Sequence, residues 1–265
     1  QQVTTARLAS ELVGTLKNRN FAYILASAFF LYAGIGLGFA INLYFSTYFW
    51  EFSALEIGLF AFSSLTAAVL AFLIAPRLAS RFEKKSVAMI LIPLALLVAV
   101  APIALRLVGV FPANDSPAIF GAIFVINIFA VGLGIVANIL FSSMIADVVE
   151  DEELKSGRRQ EGVFFAAIAF ASKATTGLGI FVSGMIISAI AFPTGAAPGS
   201  VDPDVIRNLG LVYIPVQLAL YGIATLLLTG YGISRASHAD TLRKLAAAAD
   251  LAAEGEPASS EGRLS

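Results

Sequence analysis

One lysine stands where lysine is costly. Lys173 lies about ten residues into an apolar stretch over 162–192, roughly 15 Å along a helix and so near the middle of a ~30 Å hydrocarbon layer. An ammonium at that depth costs from ~2.5 to more than ~10 kcal/mol, so it must meet a cavity or a partner instead of lipid. The competing reading is a structural lysine bonded to backbone carbonyls or snorkelling, which is hard from mid-helix. Around it Ser172, Thr175, Thr176, Gly177, Gly179, Ser183 and Gly184 are small enough for close helix contact and supply hydroxyls. Other polar residues fall in helical register. Asn127, Gly134, Asn138 and Ser142 are spaced 7, 4 and 4 apart, Tyr213, Gln217 and Tyr221 four apart, and Asn42 stands near Tyr44. Each stripe serves equally as glue between helices or as the wall of a ligand cavity; together with Lys173 they point to a common polar interior.

The second concentration of chemistry is the segment 143–165, read as a loop. Asp147, Glu150, Asp151, Glu152, Glu153 and Glu161 are set among Lys155, Arg158 and Arg159. Charges of both signs packed so densely suit a latch whose ion pairs rearrange between two conformations. A charge cluster that merely keeps this stretch out of the membrane is the other reading.

Several chemistries have no parts. The chain has no Cys, which removes thiol catalysis, disulfides and thiolate metal sites. Its single His, His238, lies in a polar tail and reads as a solvated residue. There is no HExxH, no GxSxG and no carboxylate pair within an apolar stretch, so metal hydrolysis and acyl transfer are not expected, nor is any other enzyme activity. No cofactor or metal is called for. A net charge of −1 without a basic stripe gives nucleic acid nothing to bind.

The elements that must carry these residues follow from composition. Of the 265 residues 58% are hydrophobic and only 13% charged, against ~25% charged in a soluble domain, so the surrounding solvent is lipid. Six stretches are long enough to span, approximately 21–48, 55–75, 87–107, 118–145, 162–192 and 209–233. They are continuous, not alternating, and backbone amides in hydrocarbon must pair internally, so each is a helix. The fold class is an all-α bundle of six transmembrane helices. The breaks between them gather charge, Pro or Gly. Fourteen of the 17 Lys and Arg fall on the side of the two termini, with Arg106 and Arg207 opposite and Lys173 within a span, which predicts cytoplasmic termini in a plasma (bacterial inner) membrane. Tyr48 and Trp50 fit an aromatic belt at the far interface. Segment 1–20 reads as cytoplasmic, with Val3, Leu8, Leu12 and Leu16 forming one face of an interfacial helix or belonging to a linker. Segment 236–265 begins with an Ala/Leu pattern and ends too polar to pack, a mostly disordered tail. The first residue is Gln, which suggests a processed chain or a piece of a longer one.

A resemblance rests on the charged segment. The Ser-Met-Ile-Ala-Asp run at 143–147, the acidic stretch, Glu153-Leu154-Lys155-Ser156-Gly157, Arg158-Arg159-Gln160-Glu161-Gly162, Phe164-Phe165 and the following Lys173 resemble the tenth and eleventh helices of melibiose-permease-like glycoside-pentoside-hexuronide:cation symporters. These belong to the major facilitator superfamily. Asn18-Arg19-Asn20-Phe21 is similar to the start of that family's seventh helix, and 76–85 to the basic loop after its eighth, except that Glu83 stands where the family more often has a small residue. The resemblance covers essentially the whole chain but only half of a twelve-helix protein, helices seven to twelve. It implies secondary transport of a small polar solute, a sugar or glycoside, coupled to Na or H by alternating access, with the main cation site in the absent N-terminal half. It further implies a functional role for Lys173 and gating positions for Asp147 and Arg159; the polar set Asn42, Asn127, Asn138, Thr176, Tyr213 and Gln217 is read from the residues themselves as lining a central cavity with Lys173. The charged set Asp147, Asp151, Glu153, Lys155, Arg158, Arg159 and Glu161 would serve a cytoplasmic gate. The partners expected are the lipid bilayer, the small-molecule substrate and an N-terminal six-helix half, or self-association if that half is missing. A lysophospholipid or other amphiphile symporter of the same branch, or a non-transporting scaffold, is the alternative.

Overall fold

The computed structural model describes residues 17–157, 161–193 and 195–254, and among these every regular element is helical. Helix α1 (Arg19–Tyr44) starts at Asn18, whose side chain accepts from the Phe21 amide, and widens into a π-helical turn at Phe45–Phe49. Helix α2 (Ala54–Arg81) opens on a capping box in which Ser53 and Glu56 satisfy each other's backbone amides. Helix α3 spans Lys84–Leu107, α4 Ile119–Ser156, α5 Glu161–Ala189 and α6 Pro203–Leu228. All six are long and apolar enough to cross a membrane. Pro76, Pro93, Pro102 and Pro215 sit inside them, as spanning helices tolerate where neighbours re-satisfy the freed carbonyls.

Helix α1 packs on α5 and α6, α4 packs on α2 and α3, and α3 meets α6. Exchanging α1 with α4, α2 with α5 and α3 with α6 turns this pattern into itself. Three crossings separate α1 from α4, so the two triplets run in opposite directions, the arrangement of an inverted repeat. The α1–α5 contact is backbone on backbone. A Cβ at Gly179 would stand 2.6 Å from the Leu37 nitrogen, and one at Gly36 2.8 Å from the Thr176 Cα, so only hydrogen fits at either place.

Two apolar clusters stabilise the bundle at different heights. One joins Phe21, Ile24, Leu140, Phe141, Met144, Phe164, Leu228 and Tyr231 toward the end carrying residue 19. The other joins Leu37, Ile41, Phe45, Trp50, Ile103, Ile119 and Leu209 toward the opposite end.

Three boundaries differ from the sequence reading. The segment 143–165, read as a loop, is helical up to Ser156: α4 runs on to that residue, and with 38 residues it is about 57 Å long, nearly twice the ~30 Å hydrocarbon thickness. Charge marks where the lipid stops, not where the helix stops. Buried Met144, Ile145, Val148 and Val149 continue the helical face, Lys155 pairs with Asp151 one turn back at 2.6 Å, and termination waits for Gly157, left-handed at φ +66 with its amide on the Glu153 carbonyl. Likewise α2 carries Arg77 and Arg81 within its last turns. Finally, the tail expected to be mostly disordered forms helix α7 (Arg235–Glu254). It buries His238 partly and Thr241 fully, spaced three apart, with half-buried Leu245 four further on, and it packs on α4.

Candidate functional site

Helix α5 has two faces. Phe164, Ile168, Thr175, Gly179, Ser183 and Ile186 are buried, whereas Lys173, Gly177, Phe181 and Gly184 are exposed on the other side. Lys173 therefore points away from the bundle's own core, and no described hydrogen bond or ion pair reaches it. Thr176 is half-buried where Gly36 approaches. Asn42 is exposed on α1, between exposed Phe39 and Leu43.

The other polar candidates are drawn into helix contacts. Asn127 donates to the Ser63 hydroxyl at 2.7 Å, and Ser63 in turn donates to the Phe60 carbonyl at 2.8 Å, tying α4 to α2. Gln217 is 2% exposed. Its amide nitrogen donates to the Gly34 carbonyl at 3.0 Å and to the Tyr213 hydroxyl at 3.1 Å, a seam between α6 and α1. The opposite amide oxygen of Gln217 is buried with no hydrogen-bond partner. Asn138 is half-buried on α4. The six helices thus do not gather these residues around one cavity: Lys173 and Asn42 lie on the bundle surface, while Asn127, Tyr213 and Gln217 hold helices together.

The charged set is more tightly built, at the end where α3 begins and α4 leaves the apolar layer. Lys84, the first residue of α3, donates to both Asp147 oxygens, at 2.6 and 2.9 Å. The Asp147 side chain is only 8% exposed and that of Lys84 24%, and a carboxylate so deeply placed on α4 needs such a counter-charge. The Tyr231 hydroxyl lies 3.5 Å from Asp147 and from the Met144 carbonyl. Burial first, and the Asp147 charge second, push the Tyr231 phenol well above the ordinary tyrosine range. His238 places Nε2 2.5 Å from Glu150 and 3.4 Å from Asp147.

Around this cluster the segments just before α1 and just after α6 are laced to neighbouring helix ends. Lys85 donates to the Thr229 and Tyr231 carbonyls, each at 2.6 Å, supplying a cation at the C-terminus of α6. Glu83 accepts from the Arg235 amide at 3.0 and 3.2 Å, placing a carboxylate at the N-terminus of α7. That gives the residue departing from the family pattern a definite task. Asn18 donates to Glu152 at 2.8 Å, and the Gly232 amide donates to Asn20 at 2.8 Å.

Of the expected gate residues, Asp147 is in the ion-pair cluster, and Asp151 and Lys155 pair with each other on α4. Glu153 is half-buried on α4 and Glu161 starts α5, exposed. Arg158 and Arg159 lie outside the described residues. Sequence reasoning missed Lys84 and Tyr231, named Glu150 in the charged patch without giving it a place in the gate, and read His238 as solvated. His238 in particular is not solvated, its side chain being 19% exposed; the 238, 241, 245 spacing was the available signal that the tail docks. Asp147, Glu150 and His238 each bring a ligand atom within 4.8 Å of the others, and Lys84 engages both Asp147 oxygens, so the group is tied together here as an ion-pair cluster. A cleft of about 120 Å³ opens beside it, between Glu83, Lys84, Asp147 and His238.

Comparison with known proteins agrees with this architecture. The family model described as MFS/sugar transport protein matches residues 1–235. An uncharacterised symporter of Synechocystis sp. is 34% identical over 140 residues, 50% of this chain and 25% of that protein. The chain therefore aligns with about a quarter of the length of that relative.

Proposed function

The chain belongs to the MFS/sugar transport protein family, and we propose that it acts as one six-helix half of a secondary transporter. In this reading it moves a small polar solute, a sugar or glycoside, coupled to Na or H, by rocking against an N-terminal half around a site near the membrane midplane. The symporter name of the relative supports coupled transport.

The observation that carries the reading is the position of Lys173. It is twelve residues from the start of a 29-residue helix, about 18 Å along it, on a face that nothing among the described residues covers. Lipid cannot cover it either, at a cost of ~2.5 kcal/mol or more. A polar cavity shared with a second half satisfies it, and the exposed Asn42 would face the same space. The Lys and Arg asymmetry supports cytoplasmic termini in a plasma membrane, which puts the Lys84–Asp147 cluster at the cytoplasmic end. Transport needs no covalent step, and no residue is assigned a catalytic role.

The test is coupled uptake by the intact transporter in proteoliposomes. Lys173→Ala should abolish solute accumulation while leaving the melting temperature and reconstitution yield unchanged. Undiminished uptake by this variant would remove Lys173 from the mechanism.

A further inference from the structure

We propose that helix α7 is a proton-sensitive strap: it docks on the end of α4 through His238, and protonation of that imidazole tightens the dock. Three observations carry this. First, α7 is polar and largely solvent-facing, with Leu242, Arg243 and Lys244 exposed, so little apolar burial holds it; its buried stripe is His238, Thr241 and half of Leu245. Second, His238 makes the closest polar contacts between α7 and α4, 2.5 Å to Glu150 and 3.4 Å to Asp147. Third, among the described residues the other polar link from α7 to its neighbours is the pair of bonds from the Arg235 amide to Glu83 at its first residue, so His238 is the charged contact within the docked stripe.

The sign follows from the charges that face the imidazole. From α4 come the carboxylates of Asp147 and Glu150, and from the start of α3 the Lys84 ammonium, already committed to Asp147. Glu83, Lys85 and Arg235 border the same cleft, and the buried Tyr231 phenol stays neutral. Lys84 already matches Asp147, so among the described residues the Glu150 carboxylate, 2.5 Å from Nε2, stands beside the imidazole as one negative charge in excess. A protonated His238 cancels that excess and donates to Glu150 as a charge-assisted hydrogen bond. A neutral His238 leaves it standing in a partly desolvated place, which weakens the dock. Histidine changes charge between about pH 5 and 8, so the strap tightens in acid and loosens as the pH rises. While docked, it covers the Lys84–Asp147 bridge and restrains the ends of α3 and α4 against each other. The inference rests on this cluster alone and does not depend on what the chain transports.

Amide hydrogen exchange of residues 239–248, measured by mass spectrometry on the full chain in lipid nanodiscs and corrected for the intrinsic rate at each pH, tests it. Protection should be greater at about pH 5.5 than at about pH 8. His238→Gln should abolish that ratio and leave α7 weakly protected at both values. His238→Arg, charged throughout, should keep α7 protected at both. Glu150→Gln, which removes the nearest acceptor, should shrink the ratio. Equal protection in the native chain at the two pH values, or a pH response that survives in His238→Gln, would overturn the proposal.

Discussion

Replacing Gly179 by Ala isolates the contact on which the α1–α5 pair depends. A Cβ there would meet the Leu37 nitrogen at 2.6 Å, about 0.8 Å inside the 3.4 Å where ordinary contact begins, and would also meet the Ala33 carbonyl oxygen. Both obstacles are backbone atoms of a regular helix, which cannot rotate away as a side chain can, so the helices must separate. Overpacking of this kind costs about 3 kcal/mol, offset by about 1 kcal/mol from the better helix propensity of Ala, for a net loss near 2 kcal/mol. The same helix supplies the control. Gly177 and Gly184 have open space where a Cβ would go, so Gly177→Ala and Gly184→Ala collect the propensity gain without the clash. The variants should therefore differ by about 3 kcal/mol, which for a chain of this size is roughly 6–12 °C in melting temperature. Circular dichroism at 222 nm on the three proteins in one mild detergent measures it. If Gly179→Ala melted with Gly177→Ala, the two helices would not be in backbone contact, and the packing described above would be wrong.

Other consequences can be checked the same way. Lys84→Gln strands a carboxylate that is 8% exposed and should cost about 3 kcal/mol, the low end for a broken buried pair because the lysine is partly solvated; adding Asp147→Asn should recover most of the loss, and a Lys84→Gln protein as stable as the native one would show that the bridge holds nothing. The Asn127–Ser63 bond should contribute about 1 kcal/mol, read as the coupling energy of the Asn127→Ala and Ser63→Ala pair in a double-mutant cycle, where zero coupling would mean the bond does not form in the membrane. The Tyr231 phenol is raised by burial and then by Asp147, so folding favours its neutral form. That contribution is present below the ordinary tyrosine pKa of ~10 and is lost as the pH rises through the higher folded value. Subtracting the 295 nm titration of Tyr231→Phe from that of the native chain should show no phenolate before the protein unfolds in alkali, and a phenolate near pH 10 in a still-folded chain would contradict the buried contact.

Much of the architecture was legible in the sequence because the bilayer simplifies the problem. A continuous apolar run of ~20 residues in hydrocarbon has one backbone solution, so six helices and their approximate places followed from hydropathy. Lys173 was legible for a related reason: one charge in such a run is conspicuous, and the same free energy that forbids lipid contact requires a polar neighbour. The 143–165 pattern carried the family in the sequence alone. Where the helices end was harder. Beyond the lipid, hydropathy no longer reports on backbone conformation, so the ten residues of α4 from Asp147 to Ser156 looked like a loop although their i, i+4 pairing is helical. His238 looked solvated for the same reason, its partners Glu150 and Asp147 being 88 and 91 positions away.

Which polar residues meet is a matter the tertiary structure alone decided. A stripe on one helix says that a face is special and does not say what covers it. The close approach at Gly36 and Gly179, the turn of Gln217 and Tyr213 into the α1–α6 seam, and the bond of Asn127 to Ser63 all depend on how helices far apart in sequence are rotated about their axes. Packing sets those rotations, and packing is a sum over many distant contacts that no local pattern contains. The sequence by itself determined that this chain lives in lipid as six helices with one intolerable charge; the folded bundle decided that the charge faces outward, away from its own core, and that Lys84 and His238 converge on Asp147.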